Sequence, residues 1–175
     1  PFVPSPNPPA NVKREHFLFL GRLTVAKGVR VLLRAWEIVR AKLGDDAPKL
    51  VIGGEGELEK EVRSAVGASG GTISYLGNVG GERKTQLLAG SIAMIVPSIW
   101  WDPYPTVVYE AFDHGCPVLA ARSGGLPESV THDRSGLLHE PGDAEALVDH
   151  LLRLRHDPQM AVELGQAGRK WLLAN

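Results

Sequence analysis

Residues 91–121, SIAMIVPSIWWDPYPTVVYEAFDHGCPVLAA, predict the architecture of the chain. The apolar run at 91–98 has the continuous character of a strand that is buried on both faces. A proline-containing loop and a helical pattern at 105–115 follow this run, and a second apolar run of strand length lies at 116–121. A strand, a helix and a strand in succession predict two parallel strands that are joined by a crossover helix.

The same alternation extends over the rest of the sequence in both directions. Further strands are predicted at 16–23, 49–54, 72–77 and 135–141, and further helices at 29–44, 56–67, 82–90, 126–132, 143–157 and 158–174. The pattern predicts the α/β class, with an open and mostly parallel six-stranded sheet that carries helices on both faces. In such sheets ligands bind beyond the carboxyl ends of the strands, so the loops that follow the strands hold the candidate site residues.

Bulk composition excludes several classes of function. The chain has 175 residues, which suits one domain, and its formal net charge of -1 does not favour a nucleic-acid partner. Its longest apolar stretch, Ile92 to Trp101, is interrupted at Pro97 and is too short to span a bilayer. Cys116 is the only cysteine, which excludes an internal disulfide, and we expect it to be a small buried residue.

The first strand is followed by GRLTVAKG, which contains two cations. Arg22 and Lys27 both lie in this loop, and such a pair suits a diphosphate, with arginine as a bidentate donor and lysine as a point charge. Two solvated loop cations are the simpler interpretation of the same residues.

The second strand is followed by GGEGE, which partly resembles a dinucleotide-binding fingerprint. Gly54 and Gly56 supply the first two glycines, but Glu59 stands at the third position and Ser74 stands where an acidic residue would bind ribose. This departure disfavours a nicotinamide cofactor. Two interpretations of the glycines stay open, a tight turn into the next helix or a close backbone approach to a ligand.

The helix predicted from Pro105 carries a polar row of Thr106, Glu110 and His114. Periodicity alone indicates a solvent-exposed face, whereas the position after a buried strand would place the amino terminus of the helix in the cleft. The N–H groups of Thr106 and Val107 would then attract phosphate, and Glu110 would accept hydrogen bonds from ribose hydroxyls. For His114 we expect a structural role at the end of the helix.

Three other features of the strand-end loops complete the candidate site. Asp102 precedes the helix and could reach the other end of a ligand, and the pair Gly124 and Gly125 permits positive φ angles and a close approach. We expect one core and one rim residue at Trp100 and Trp101.

The histidines are scattered and no Cys/His metal spacing occurs, so no protein-built metal site is predicted.

Taken in order, these motifs resemble the C-terminal, donor-binding domain of a retaining GT-B glycosyltransferase of the large group called family 4. The motifs that carry the resemblance are GRL…KG, GGEGE, LGNV, PS…D-x7-E-A…G-PV-A, GG-PE and SGLL…P-GD, between about Phe17 and Leu154. The resemblance implies a Rossmann-like domain that forms one half of a GT-B fold. The several prolines of residues 1–15 indicate an interdomain linker or an extended entry segment. The resemblance implies a donor-binding domain at 16–175, in a longer two-domain enzyme.

The resemblance further implies a nucleotide-diphosphate sugar as donor, with UDP or GDP as the nucleotide, and no cofactor or bound metal. The catalytic residues that it implies are Arg22, Lys27, Asp102 and Glu110. Further donor-binding residues are expected at Gly21, Gly54, Gly77, Asn78, Val79, Tyr104, Pro105, Thr106, Val107, Gly124 and Gly125. Asp102 is a departure from the family, which usually has glutamate at that position.

The implied reaction is the retaining transfer of a hexose, which requires no nucleophile from the protein. The acceptor, a sugar, glycan or lipid-linked molecule, would bind mainly to an N-terminal domain, so we expect the isolated chain to bind nucleotide without transferring sugar. We also expect a cytoplasmic location, with peripheral membrane association open for the full-length protein. A nucleotide-sugar 2-epimerase of the same architecture and a non-catalytic nucleotide-sugar-binding module remain as alternatives.

Overall fold

The computed structural model describes residues 2–5, 12–101 and 106–175. A six-stranded parallel sheet forms its centre, and the spatial order of the strands is β3-β2-β1-β4-β5-β6. The elements in chain order are β1 (His16–Leu20), α1 (Val29–Leu43), β2 (Lys49–Gly53), α2 (Glu59–Ala68), β3 (Ile73–Tyr75), α3 (Gly81–Ala89), β4 (Ser91–Val96), α4 (Thr106–Asp113), β5 (Val118–Ala121), α5 (Leu126–Ser129), β6 (Gly136–His139), α6 (Ala144–His156) and α7 (Pro158–Ala174). The predicted fold class is confirmed, and so is each predicted strand.

Two apolar cores lie on opposite faces of the sheet because successive side chains of a strand point to opposite faces. In β1, Phe17 and Phe19 belong to the core under α1 and α6, whereas Leu18 belongs to the core under α4. Helix α7 contributes to both cores, with Leu164 in the first and Leu172 in the second. The sheet is therefore covered on both faces, as parallel sheets require.

The direction of strand order reverses between β1 and β4, which are neighbours in the sheet although two helix-connected strands separate them in sequence. The crossovers leave β1 toward one edge of the sheet and β4 toward the other edge. A crevice opens at such a switch point, beyond the carboxyl ends of the two strands.

Residues in the predicted linker contact the domain where the structure describes them. The backbone N–H of Ser5 donates to both carboxylate oxygens of Asp113 at 3.0 Å. Arg14 donates to the carbonyl oxygens of Ser91 at 2.6 Å and of Gly115 at 2.7 Å. These contacts place Ser5 and Arg14 against the side of the domain that carries α4.

Candidate functional site

A cleft of about 620 Å³ lies at the switch point between β1 and β4. Its walls are the loop after β1, the end of β2, the loop after β3, helix α3 and the first turns of α4. The residues predicted from the sequence that line this cleft are Gly21, Arg22, Lys27, Gly54, Asn78, Val79, Thr106, Val107 and Glu110. The structure therefore brings together residues that lie up to 89 positions apart, the separation of Gly21 and Glu110.

Other predicted residues lie elsewhere or are not described. Gly77, Gly124 and Gly125 are absent from the described lining of the cleft. Gly124 has a positive φ of 57°, as predicted, but Gly125 has a φ of −80° that any residue can adopt. The predictions for Asp102, Tyr104 and Pro105 lie outside the described residues.

Backbone hydrogen bonds hold the loop after β1 against the loop after β2. The N–H of Leu23 donates to the carbonyl of Glu55 at 2.8 Å, and the N–H of Leu58 donates to the carbonyl of Leu23 at 3.0 Å. The N–H of Lys27 donates to the Thr24 hydroxyl at 3.3 Å, which helps to shape the turn. Arg22 and Lys27 thus project from a backbone that is fixed at several points.

The glycines of GGEGE are explained by contacts between backbone segments. Gly54 has a φ of 131°, and a Cβ at this position would lie 1.8 Å from the carbonyl oxygen of Gly21. A Cβ on Gly56 would lie 2.5 Å from the carbonyl oxygen of Leu23. The close approach is therefore to the neighbouring loop, which favours the tight-turn interpretation, although Gly54 also lines the cleft. Gly77 supports this turn, because its carbonyl accepts from the N–H of Gly54 at 2.7 Å.

Helix α4 presents its amino-terminal turns to the cleft. Val108, Ala111 and Phe112 are buried in the core below the helix, and this packing turns Thr106 and Glu110 toward the opening. The polar row is therefore not a plain solvent-exposed face. The N–H groups of the first helical turn have no partner within the helix itself, so this end of α4 favours an anion.

Two members of the polar row make specific contacts. Glu110 accepts a hydrogen bond from Lys84 Nζ at 2.6 Å. His114 Nδ1 lies 2.9 Å from the backbone carbonyl of Glu110, which agrees with the structural role predicted for this histidine.

Four cleft residues were missed by sequence reasoning, namely Leu20, Gly53, Glu55 and Lys84. Leu20, Gly53 and Glu55 are sequence neighbours of predicted residues at the ends of β1 and β2. Lys84 belongs to α3, and its position near the start of a helix that follows a strand end was the available signal.

The prediction of one core and one rim tryptophan is wrong. Trp100 is 73% exposed and Trp101 is 72% exposed. Strand β4, which has no exposed residue, ends at Val96, so its burial does not extend to these two residues. The Trp100 backbone is nevertheless anchored, because its carbonyl accepts from the Ser123 hydroxyl at 2.7 Å.

Two other kinds of site are absent from the part of the chain that the structure describes. Over residues 2–5, 12–101 and 106–175, no cluster of three or more His, Cys, Asp or Glu side chains is placed to hold a metal ion. None of the helices that the structure describes has the length and apolar character required to cross a membrane.

The sequence comparisons assign the family. A family model described as glycosyl transferases group 1 matches residues 5–171. The chain belongs to this family. It is 31% identical over 140 residues to an uncharacterized glycosyltransferase of Methanocaldococcus jannaschii, an alignment that covers 77% of this chain and 35% of the relative.

A second relative, whose name specifies its donor, aligns with nearly the whole chain. A GDP-mannose-dependent alpha-(1-6)-phosphatidylinositol monomannoside mannosyltransferase of Mycobacterium tuberculosis is 29% identical over 189 residues, which covers 99% of this chain and 48% of the relative. The chain spans less than half the length of these curated relatives.

Solved structures of glycosyltransferases share the fold. Anabaena HepE in complex with UDP and glucose superposes with a TM-score of 0.81 at 21% identity, covering 93% of this chain and 44% of HepE. The C-terminal domain of a glycosyl transferase group 1 family protein (LpcC) from Francisella tularensis gives a TM-score of 0.78 at 19% identity, covering 99% of this chain and 95% of that domain. The predicted resemblance to the C-terminal half of a GT-B glycosyltransferase is confirmed at the level of fold.

Proposed function

We propose that this chain binds the nucleotide-diphosphate sugar donor of a retaining glycosyltransferase. The observation that carries the proposal is the cleft at the β1/β4 switch point, where Arg22, Lys27 and the amino terminus of α4 converge. Two cations and a helix amino terminus in one cleft match the charge of a diphosphate. On this proposal Glu110, which lines the cleft one turn further along α4, accepts hydrogen bonds from the ribose hydroxyls.

The proposed reaction transfers a hexose with retention of configuration at the anomeric carbon. The bond between that carbon and the diphosphate oxygen breaks as positive charge develops on the sugar, and the acceptor hydroxyl oxygen forms the new bond on the same face. The bond's electron pair and the acceptor's proton go to the departing diphosphate. Arg22, Lys27 and the α4 amino terminus stabilise the negative charge that develops on the leaving group, which lowers the barrier.

The remaining parts of the proposal concern the whole protein. We assign residues 16–175 to donor binding and residues 1–15 to the connection with a second domain that binds the acceptor. On this assignment the isolated chain binds nucleotide and does not transfer sugar. We further propose that donor binding uses no bound metal or cofactor, and that the full-length enzyme works in the cytoplasm.

The identity of the nucleotide is the first property to test. One relative is named as GDP-mannose-dependent and one structural neighbour was solved with UDP, so both nucleotides are candidates. Calorimetric titration of the chain with UDP, GDP and ADP should give binding of at least one of them. Arg22→Ala should weaken that binding by about tenfold or more, because a charge-assisted hydrogen bond to phosphate is lost.

The matched control for this titration is Arg134→Ala, which removes an exposed arginine that does not line the cleft. Equal losses in the two variants would indicate a general charge effect and would contradict a diphosphate site at Arg22. Absence of binding of all three nucleotides to the unmodified chain would contradict the proposed function itself.

A further inference from the structure

A lysine outside the cationic loop that follows β1 also lines the cleft. Lys84 Nζ donates to Glu110 Oε1 at 2.6 Å, and the side chains of the two residues are 33% and 26% exposed. Both residues line the cleft. The pair therefore lies in the cavity itself and is more protected from solvent than an ordinary surface ion pair.

The backbones that carry the pair are held by one apolar core. Helix α3 contributes Leu88 to this core, and helix α4 contributes Val108 and Phe112, all of them fully or almost fully buried. The two helices therefore cannot move apart without disrupting common packing. The contact between Lys84 and Glu110 joins two fixed points and is not a chance meeting of mobile surface side chains.

The contact fixes the orientation of the Glu110 carboxylate. The short hydrogen bond engages Oε1, and the second carboxylate oxygen, Oε2, has its own acceptor sites. A charge-assisted bond of this kind also reduces the rotation of the carboxylate group about its terminal torsion. A vicinal diol that reached Oε2 would meet an acceptor whose position is already set, so less ordering would be required on binding.

We infer that Lys84 is a positioning residue, which orients Glu110 to recognise the 2′,3′-diol of the donor ribose and so selects ribonucleotides over deoxyribonucleotides. This inference rests on the proposed function of the cleft and assigns a specificity to it. Lys84 acts through Glu110, so the part of the affinity that it supplies should depend on the ribose hydroxyls and not on the phosphates.

The test compares the affinities of nucleotides that differ only in the sugar. Dissociation constants would be measured by calorimetry for UDP, GDP, their 2′-deoxy and 3′-deoxy counterparts, and inorganic pyrophosphate. For the unmodified chain we expect the ribonucleotide to bind about tenfold more tightly than its deoxy counterparts. Lys84→Met should reduce this ratio by about fivefold, leave pyrophosphate binding within about twofold, and leave the deoxynucleotide almost unchanged.

Two further variants show whether the lysine acts through its charge and position. Lys84→Arg keeps a cation near Glu110 and should restore most of the ratio. Arg83→Met removes a neighbouring cation of the same helix that is exposed and does not line the cleft, and it should leave the ratio unchanged. If Lys84→Met does not fold, as judged by circular dichroism, Lys84→Gln takes its place.

A double-mutant cycle on the affinity ratio of ribonucleotide to deoxynucleotide distinguishes a lysine that acts through Glu110 from one with a purely structural role. Glu110→Gln should remove most of the ratio, and Lys84→Met should then have no further effect on it. Independent effects of the two changes, or an unchanged ratio in Lys84→Met, would overturn the inference while nucleotide binding still stands. Parallel loss of pyrophosphate binding would assign Lys84 to the phosphates and would also overturn it. Absence of ribonucleotide binding to the unmodified chain would overturn both the inference and the proposed function.

Discussion

Gly28 holds two walls of the cleft together. Its φ is 72°, in the left-handed region, and a Cβ built on it would lie 1.9 Å from the carbonyl oxygen of Pro97. Pro97 directly follows β4, so this contact packs the loop that carries Lys27 against the loop that leads to α4. A side chain at this position would therefore force the two walls apart.

Gly28→Ala should lower the free energy of unfolding by more than about 2 kcal/mol, because backbone strain and a clash with backbone act together. Gly71→Ala is the control, since Gly71 also has a positive φ, of 83°, but a Cβ added there would meet no heavy atom within 4 Å. That control should cost about 1 kcal/mol from strain alone. Urea denaturation of both variants measures the difference, and equal losses would show that the contact with Pro97 is unimportant.

The contact between Lys84 and Glu110 shows a limit of sequence reasoning at the same scale. Sequence patterns placed Glu110 on a polar helix row, but its partner lies 26 residues earlier, on a different helix. Their meeting depends on how α3 and α4 pack on the sheet, which local spacing does not encode. The exposure of Trp100 and Trp101 was missed for a related reason, because the apolar run in the sequence continues beyond Val96, where the buried strand ends.

Helices α4 and α7 are joined by a buried ion pair that also holds the start of the chain. Arg169 Nη1 donates to Asp113 Oδ1 at 2.7 Å, and the two side chains are 21% and 6% exposed, respectively. Arg169 also donates to the backbone carbonyls of Asp113 and Ser5. Because the N–H of Ser5 donates to the same carboxylate, removing that carboxylate would leave two partly buried donor groups, Ser5 N–H and the Arg169 guanidinium, without their shared acceptor.

Asp113→Ala should lower the free energy of unfolding by about 3 kcal/mol, because the Arg169 guanidinium would remain largely buried without its counter-charge. Glu37→Ala removes the exposed ion pair with Arg34, whose side chains are 65% (Arg34) and 68% (Glu37) exposed. That control should cost less than about 1 kcal/mol. Chemical denaturation of the two variants gives the comparison, and a small loss in Asp113→Ala would mean that solvent replaces the missing acceptor.

The sequence predicted the presence of each strand more reliably than the residues at which the strand begins and ends. The strand and helix alternation predicted every strand, because parallel strands that are covered on both faces have continuous apolar runs. The predicted strand at 72–77 is shorter in the structure, where β3 covers only Ile73–Tyr75. The flanking residues still bond to β2, because the N–H of Leu50 donates to the Thr72 carbonyl at 2.8 Å and the N–H of Leu76 donates to the Ile52 carbonyl at 3.0 Å. The Thr72 side chain belongs to the preceding turn, since its Oγ1 donates to the Ser69 carbonyl at 2.9 Å. The sequence pattern alone does not show at which residue the regular strand ends.

At the scale of the whole molecule, the sequence predicted a cleft beyond the carboxyl ends of the strands because parallel α/β sheets place ligands there. The exact order of strands was not predicted from the sequence. That order decides which loops meet, and it places the loops after β1 and β3 near α4 while Gly124 and Gly125 fall outside the described lining. Long-range packing thus determined which of the predicted residues form one site.

The stability of the whole molecule should decrease below neutral pH because one histidine, His139, is buried and two others are partly buried. Burial lowers the pKa of His16, His139 and His150 from the usual 6.5. At His139 the nearby His150 also lowers the pKa, whereas hydrogen bonding to the Glu140 carbonyl and the charges of Asp143 and Glu140 partly offset the burial. The unfolded chain then binds more protons than the folded chain just below pH 6.5, so stability is lost as the pH falls through that range.

Stability should also decrease at alkaline pH, for the opposite reason. Burial raises the pKa of the Cys116 thiol from 9.0 to about 12, so the folded chain keeps a proton that the unfolded chain releases. This contribution is fully present below pH 9 and is lost as the pH rises from there toward 12, at about 1.4 kcal/mol per pH unit.

We therefore expect the free energy of unfolding, measured in urea at a series of pH values, to be highest between about pH 7 and about pH 9. His139→Gln should flatten the acid side, because the buried Nε2 of His139 has no hydrogen-bond partner among the described residues and a proton there would be unsatisfied. Cys116→Ala should flatten the alkaline side only. A histidine variant that follows the unmodified chain from pH 7 down to about pH 5 would show that carboxylates, and not this buried imidazole, govern the loss of stability in acid.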